Sequence, residues 1–249
     1  WLQTKLPHAQ QLEISAFTSP EAGASNETLL FTARWLEQGE RREKGLVARL
    51  RPSAAGIFPS YNLALQFEAM AALAGSGVPV PAVVALEEDE TVLGRPFYVM
   101  EQVQGRYLAD NPPYHMDGWL TQCSPEERGA IWRNAICEIA RINRVDWQSR
   151  GFGEICHYAP YATPLEQLLA EYEAFLQWTE AQNRPYPRLH ACLHWLQQQR
   201  PLNQPIALCW GDAKASNLMM RGTAICATLD WEMVHLGNPV HDLAWWLVL

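Results

Sequence analysis

The sequence predicts an α+β protein in two parts, a β-rich N-terminal part and a mainly helical C-terminal part with an embedded hairpin. Three observations lead there. Apolar, β-branched runs separated by turn residues fill most of the first hundred positions. After Gly105 two helix starts of the form Ser/Thr-Pro-x-Glu appear. Near the end a short apolar run and an apolar hairpin return.

Each element follows from its residues. Glu27–Trp35 has strand character, the charged stretch LEQGERREKG reads as a solvated hairpin connection, and Leu46–Leu50 reads as the return strand. Ser60–Gly77 is rich in Ala, Leu and Met and stops at glycines, which predicts a helix. In VPVPAVVAL each proline pushes its predecessor out of the helical region, so the segment is extended. The aromatic run Pro96–Val103 is a strand, and the connection to the second part falls near residues 101–106. Ser124-Pro125-Glu126-Glu127 opens a helix that runs to about Asn143. Thr163-Pro164-Leu165-Glu166 opens another, with Leu165, Leu169, Tyr172 and Leu176 at helical spacing, and YPRLHACLHWLQQQ makes a third. IALCW is a short strand, and NLMM and AICATLDW form a hairpin turning at Arg221–Gly222. HDLAWWLVL starts a helix that is expected to continue past Leu249.

The composition narrows the function classes. The chain has 249 residues, 48% hydrophobic and 18% charged, and no apolar run near the roughly 18 residues of a membrane span. The net charge of −8 argues against general nucleic-acid binding. The six cysteines form no CxxC pair and no zinc spacing, which suits free thiols in a reducing cytoplasm. The chain opens at Trp1 without a signal-peptide pattern.

The chemistry concentrates in CWGDAKASN, residues 209–217. Asp212 follows an apolar strand, Asn217 lies five residues on, and Asp230 ends the next apolar strand. A tight hairpin brings Asp230 back beside Asn217, so an amide and a carboxylate converge as oxygen ligands for Mg²⁺. Asp212 faces the same cleft from the other side. Phosphoryl transfer asks for this set: a carboxylate to accept a hydroxyl proton, and Asn plus Asp to hold the metal on the phosphates. A turn or helix cap is the ordinary explanation of any single Gly-Asp or Asp-Trp pair, but not of the joint pattern.

The block CWGDAKASNLMM…ATLDWEMVHLGNPVHDLAWW resembles the aminoglycoside phosphotransferase / choline kinase-like family. Its branch of kinase-like domains attached to some acyl-CoA dehydrogenases shows an HGD…N…LDWE…G.P..DLA pattern. Upstream, GASNETLLFTA resembles that branch's nucleotide loop, LVARLRP its phosphate-facing strand, and QFEAMAALAGSGVPVPAVVAL…GRPFYVMEQVQGR its helix, strand and hinge. The resemblance implies a protein-kinase-like fold with a nucleotide-binding lobe over 1–103 and a catalytic lobe over 104–249. It implies ATP and Mg²⁺ as cofactors and a small-molecule hydroxyl acceptor, aminoglycoside-like, macrolide-like or a hydroxyacyl metabolite. No nucleic-acid or membrane partner is implied, and the oligomeric state stays open. By position, Asp212 is the base, Asn217 and Asp230 are metal ligands, Ser25 and Asn26 cap the phosphates, and Glu101 to Val103 meet the adenine. Arg49 takes the place of the phosphate-contacting Lys and Glu68 that of its helix-borne partner.

Several positions stay open. An Arg49–Glu68 pair satisfies a charge inside an apolar strand, and the alternative is that each reaches solvent. Lys214 either stabilises the transferring phosphoryl group or is a solvated lysine. Trp210 stands where the branch has His and supports the loop by packing, while Asp242 orients the loop. His235 and His241 read as surface or satisfied histidines, and Trp231, Trp245 and Trp246 as core ahead of the alternative that they line a substrate pocket. The altered loop, Arg49 and Trp210 also motivate a second function, a nucleotide-binding pseudokinase or interaction module without turnover.

Overall fold

A computed structural model describes residues 1–19, 27–52 and 56–249. Ser25 and Asn26 therefore lie outside the described residues. The N-terminal part holds a short helix α1 (Leu2–Lys5), strands β1 (Gln10–Ile14), β2 (Glu27–Glu37) and β3 (Glu40–Leu50), helix α2 (Leu63–Leu73), and strands β4 (Val83–Glu87) and β5 (Phe97–Glu101). The strands form one antiparallel sheet in the order β1-β2-β3-β5-β4.

The β2–β3 hairpin corrects the expected connection. Residues 36–45 are mostly strand, and only Gln38 and Gly39 turn, both with positive φ (54° and 83°). Such a two-residue turn matches the twist of its flanking strands. The charged residues that suggested a loop are paired across the ladder instead, as in Arg34–Glu43 at 2.7 Å.

Alternation along β3 decides which way Arg49 points. Leu46, Ala48 and Leu50 pack one face of the sheet with Phe31, Trp35 and Phe97. Val47 belongs to the other face, where Tyr98 and Met100 join a core shared with α2 and the C-terminal part. Arg49 shares the side of Val47 by the two-residue period and lies opposite Tyr98 on β5.

The C-terminal part contains α3 (Pro125–Asn143), α4 (Phe152–Ile155), α5 (Pro164–Gln182), α6 (Pro187–Gln198), the strands β6 (Ala207–Cys209), β7 (Leu218–Arg221), β8 (Ala224–Thr228) and β9 (His235–Gly237), and α7 (Val240–Val248). The capping box that opens α3 is present: Glu127 N–H donates to Ser124 Oγ, and Ser124 N–H to the Glu127 carboxylate. β7 and β8 form the expected hairpin, with its turn at Gly222–Thr223, one residue later than expected. β9, which pairs with β6, was not expected; three residues are too few to show a period.

The two parts form a protein-kinase-like fold, a β-sheet region followed by a helical one. A backbone bond joins them from Thr228 N–H to the Pro79 carbonyl (2.7 Å), and paired bonds between Arg106 and Met220 fasten the segment after the connection to the hairpin. Among the described residues, no helix is long and apolar enough to cross a membrane.

Candidate active site

The loop after β6 is built around Gly211 and Asp242. Gly211 has φ +90°, and a Cβ there would sit 2.0 Å from the Met233 carbonyl oxygen, so only glycine fits. Asp242, in the first turn of α7, is fully buried. Its carboxylate accepts the backbone N–H groups of Trp210 and Gly211, both at 2.8 Å. Asn143 on α3 donates to the same carboxylate and to the Leu208 carbonyl, both at 2.9 Å. A buried carboxylate with three donors is satisfied and fixed.

Trp210 does more than pack. Its buried indole N–H donates to the Leu229 carbonyl at 2.9 Å, tying the loop to the residue before Asp230, and its ring lies against Trp231.

Asp212 and Asn217 meet directly. Asn217 Nδ2 donates to Asp212 Oδ2 at 2.7 Å and to its backbone carbonyl at 3.1 Å. The hairpin brings Asp230 close, since Leu229 N–H donates to the Asn217 carbonyl at 2.8 Å. Asp230 itself has φ +58°, an unusual backbone state for a non-glycine residue. Lys214 Nζ lies 3.3 Å from Asp212 and 3.6 Å from Asp110. Partial burial pulls the Lys214 pKa down, but Asp212 and Asp110 outweigh it and the net shift is upward, so the amine stays charged. Lys214 is therefore partly buried between two carboxylates rather than a solvated surface lysine.

Arg49 corrects an expectation. Its partner is Asp230, at 3.0 Å, and not Glu68. Burial opposes the Arg49 charge, but Asp230, Tyr98 and Glu232 together outweigh it and raise the pKa. Glu68 is exposed on α2, where its charge acts on Cys156. The side of α2 that turns inward carries Leu63, Gln66, Ala69, Met70 and Leu73. Gln66 is buried there and accepts the Tyr98 hydroxyl at 3.1 Å, and burial raises the Tyr98 pKa to about 12. The apolar residues of α2 occur all round the helix, so periodicity did not select this face; Gln66 at the spacing of Leu63 and Met70 was the available signal.

Arg49, Asp212, Lys214, Asn217 and Asp230, among others, line one cavity of about 1160 Å³. That exceeds the roughly 300–1,000 Å³ of common small-molecule pockets, leaving room for more than one ligand. Glu68, Glu101 and Val103 do not line it. Glu101 pairs with Lys44 through its side chain, and its N–H is bonded to the Ala82 carbonyl.

Among the described residues no cluster of three or more His, Cys, Asp or Glu side chains is set to hold a metal. Asn217 and Asp230 still fit Mg²⁺. With its nitrogen on Asp212, Asn217 keeps its carbonyl oxygen for another partner, and Arg49 engages only Oδ1 of Asp230. Two hard oxygen donors complete a Mg²⁺ shell only with phosphate oxygens and water, which is the usual protein share.

Sequence reasoning did not single out Asp110 and ranked pocket lining second for Trp245. Asp110 binds Lys214 and accepts the Ser216 hydroxyl at 3.0 Å. Trp245, expected in the core, lines the cavity and donates its indole N–H to Asp212 Oδ1 at 3.0 Å.

The chain is similar to known phosphotransferases in family and fold. A family model described as "Phosphotransferase enzyme family" matches residues 17–249. Acyl-CoA dehydrogenase family member 10 of Mus musculus is 31% identical over 205 residues, covering 82% of this chain. The chain spans only 18% of that relative's length. Among solved structures, a protein from Ralstonia eutropha described as a candidate aminoglycoside phosphotransferase superposes with a TM-score of 0.70 at 28% identity, covering 98% of this chain and 67% of that one. The streptomycin–ATP ternary complex of APH(2")-IIa shares the fold, with a TM-score of 0.59 at 13% identity over 97% of this chain and 72% of that one.

Proposed function

The chain belongs to the phosphotransferase enzyme family, and from that premise we propose that it is an ATP- and Mg²⁺-dependent kinase acting on a hydroxyl of a small molecule. The observation that carries this reading is the meeting of Asp212, Asn217 and Asp230 at one cavity, with the Asn217 amide on the Asp212 carboxylate.

In the proposed reaction the acceptor hydroxyl approaches Asp212. Its oxygen forms a bond to the γ-phosphorus as the bond to the β,γ-bridging oxygen breaks. The electron pair of that bond leaves with ADP, and the hydroxyl proton passes to Asp212. Asn217 holds Asp212 by its nitrogen and presents its oxygen, with Asp230, to the metal. Bound Mg²⁺ would neutralise charge on the phosphates. Arg49 orients the phosphates once nucleotide enters, and Lys214 offsets charge on the transferring group. The backbone of Glu101 to Val103 is proposed for the adenine, and Ser25 and Asn26 for the phosphates.

A nucleotide-binding module without turnover is the second reading. It is favoured by the Arg49–Asp230 pair, which engages a proposed metal ligand, and by neutral Gln66 on the inward side of α2. A coupled ADP-release assay over aminoglycosides, macrolides and hydroxy acids separates the two. Asp212→Ala is expected to lower turnover by about 10²–10⁴-fold while Mg-ATP affinity holds within about threefold. Unchanged turnover in that variant would sink the mechanism, and ATP binding with no ADP release from wild type would favour the second reading.

A further inference from the structure

The two oxygens of Asp212 are not equivalent. Oδ2 receives Asn217 Nδ2 at 2.7 Å and has Lys214 Nζ at 3.3 Å. Among the described residues Oδ1 receives one donor, the indole N–H of Trp245 at 3.0 Å. A carboxylate oxygen offers two lone-pair sites, so Oδ2 is filled and Oδ1 keeps one. We propose that Trp245 is a positioning residue for phosphoryl transfer, holding the Asp212 carboxylate so that Oδ1 is the oxygen that receives the acceptor's proton. The proposal rests on the reading of Asp212 as base.

The chemistry of indole suits this role. Its N–H donates and cannot accept, so it fixes the carboxylate without competing for the proton. The indole is itself held. The His241 ring lies 6.1 Å from that of Trp245, accompanied by a His241–Tyr172 hydrogen bond of 3.0 Å and an edge-on contact of 4.9 Å with His235. Trp245, His241 and Tyr172 all line the cavity, so the wall that fixes the base also borders the space left for an acceptor. The neighbouring Trp246 shows what a packing tryptophan looks like on the same helix: it is 4% exposed and lies against Trp132.

Trp245→Phe keeps an aromatic ring and removes the N–H. In ADP-release assays with Mg-ATP and an aminoglycoside, a macrolide, a hydroxy acid or water as acceptor, it is expected to lower kcat by about 10- to 100-fold and leave the ATP KM within about twofold. Trp246→Phe serves as the packing control and is expected to lower the melting temperature while kcat stays within about twofold of wild type. A second readout needs no turnover. In protein labelled with ¹⁵N at the indoles, the Trp245 N–H resonance, assigned by its loss in Trp245→Phe, should move upfield in Asp212→Ala. Wild-type kcat in Trp245→Phe overturns the proposal, as does a Trp245 resonance unmoved by Asp212→Ala. So does a kcat loss that Trp246→Phe reproduces. ADP release from no acceptor by wild type overturns the kinase reading and the proposal with it; turnover that ignores Trp245 overturns the proposal alone.

Discussion

The two sides of the cavity are built differently. On the C-terminal side, the loop around Asp212 is fixed by several independent bonds: Asp242 to two backbone N–H groups, Trp210 to Leu229, and Asn217 to Asp212. On the N-terminal side, Arg49 is held in the cavity through side-chain contacts, the ion pair with Asp230 and the neighbouring Tyr98 hydroxyl and Glu232 charge, and among the described residues its Nε has no hydrogen-bond partner. One side is preset by backbone and buried bonds, and the other holds a charge whose Asp230 partner would have to change under the proposed phosphate contact. Geometry that chemistry depends on is over-determined, while the group that meets a ligand is left exchangeable.

Breaking the preset side should have the largest effect. Gly211→Ala places a Cβ 2.0 Å from the Met233 carbonyl oxygen at a φ of +90°. A backbone clash of that depth cannot relax through a side chain, so the loop or β9 must move. The variant should lose more than about 3 kcal/mol of stability, read by chemical denaturation, and show no measurable ADP release. An active, stable Gly211→Ala would mean that the loop is not preset.

The exchangeable side should respond in binding. Arg49→Met keeps the aliphatic stem and removes the charge, leaving Asp230 unpaired. The ATP KM should rise by about 10- to 100-fold while kcat falls less, because a phosphate contact made before and during transfer acts mainly on binding. An equal fall in kcat and kcat/KM with KM unchanged would move Arg49 to the preset class.

The same contrast explains what was legible in the sequence. Asp212, Asn217 and Asp230 stand on one loop and one tight hairpin, so short spacings fix their meeting, and the residues disclosed it. The partner of Arg49 depends on how two distant segments dock, and spacing carries no such information. Glu68 was the acidic residue on offer in α2, but the sheet selected the face of Gln66. The long β2–β3 hairpin was misread because charge was taken for a loop, whereas ladder pairing tolerates charged side chains on solvated faces. Trp245 was read as core because most tryptophans are largely buried, and only the docking of α7 reveals its polar edge on Asp212.

The scaffold beneath the preset side carries a cost of its own. Glu138 on α3 is 2% exposed, and burial raises its pKa from 4.5 to about 7 despite the neighbouring Arg141. The folded state therefore holds a proton at Glu138 that the unfolded state releases above pH 4.5. Stability from this group is present below pH 4.5, is lost as pH rises to about 7, and stays lost above. Glu138→Gln should flatten that fall and gain about 1–3 kcal/mol over wild type at pH 8, with little gain at pH 4.5. Melting curves at the two pH values check it, and an equal effect at both would assign the change to packing.

Glu68→Ala should have the smallest effect, and it separates a family position from a physical one. Glu68 is exposed and outside the cavity lining, and Arg49 is already paired with Asp230. If the inward side of α2 acts through Gln66, Glu68→Ala changes the ATP KM and kcat by less than about twofold and stability by less than about 0.5 kcal/mol. Gln66→Ala, by contrast, removes the acceptor of a buried Tyr98 hydroxyl and should cost about 1–3 kcal/mol. Tyr98 lies opposite Arg49 in the ladder, so that loss should also reach the ATP KM. A larger kinetic effect at Glu68 than at Gln66 would mean that α2 turns when nucleotide binds, bringing Glu68 to Arg49 and freeing Asp230 for the metal.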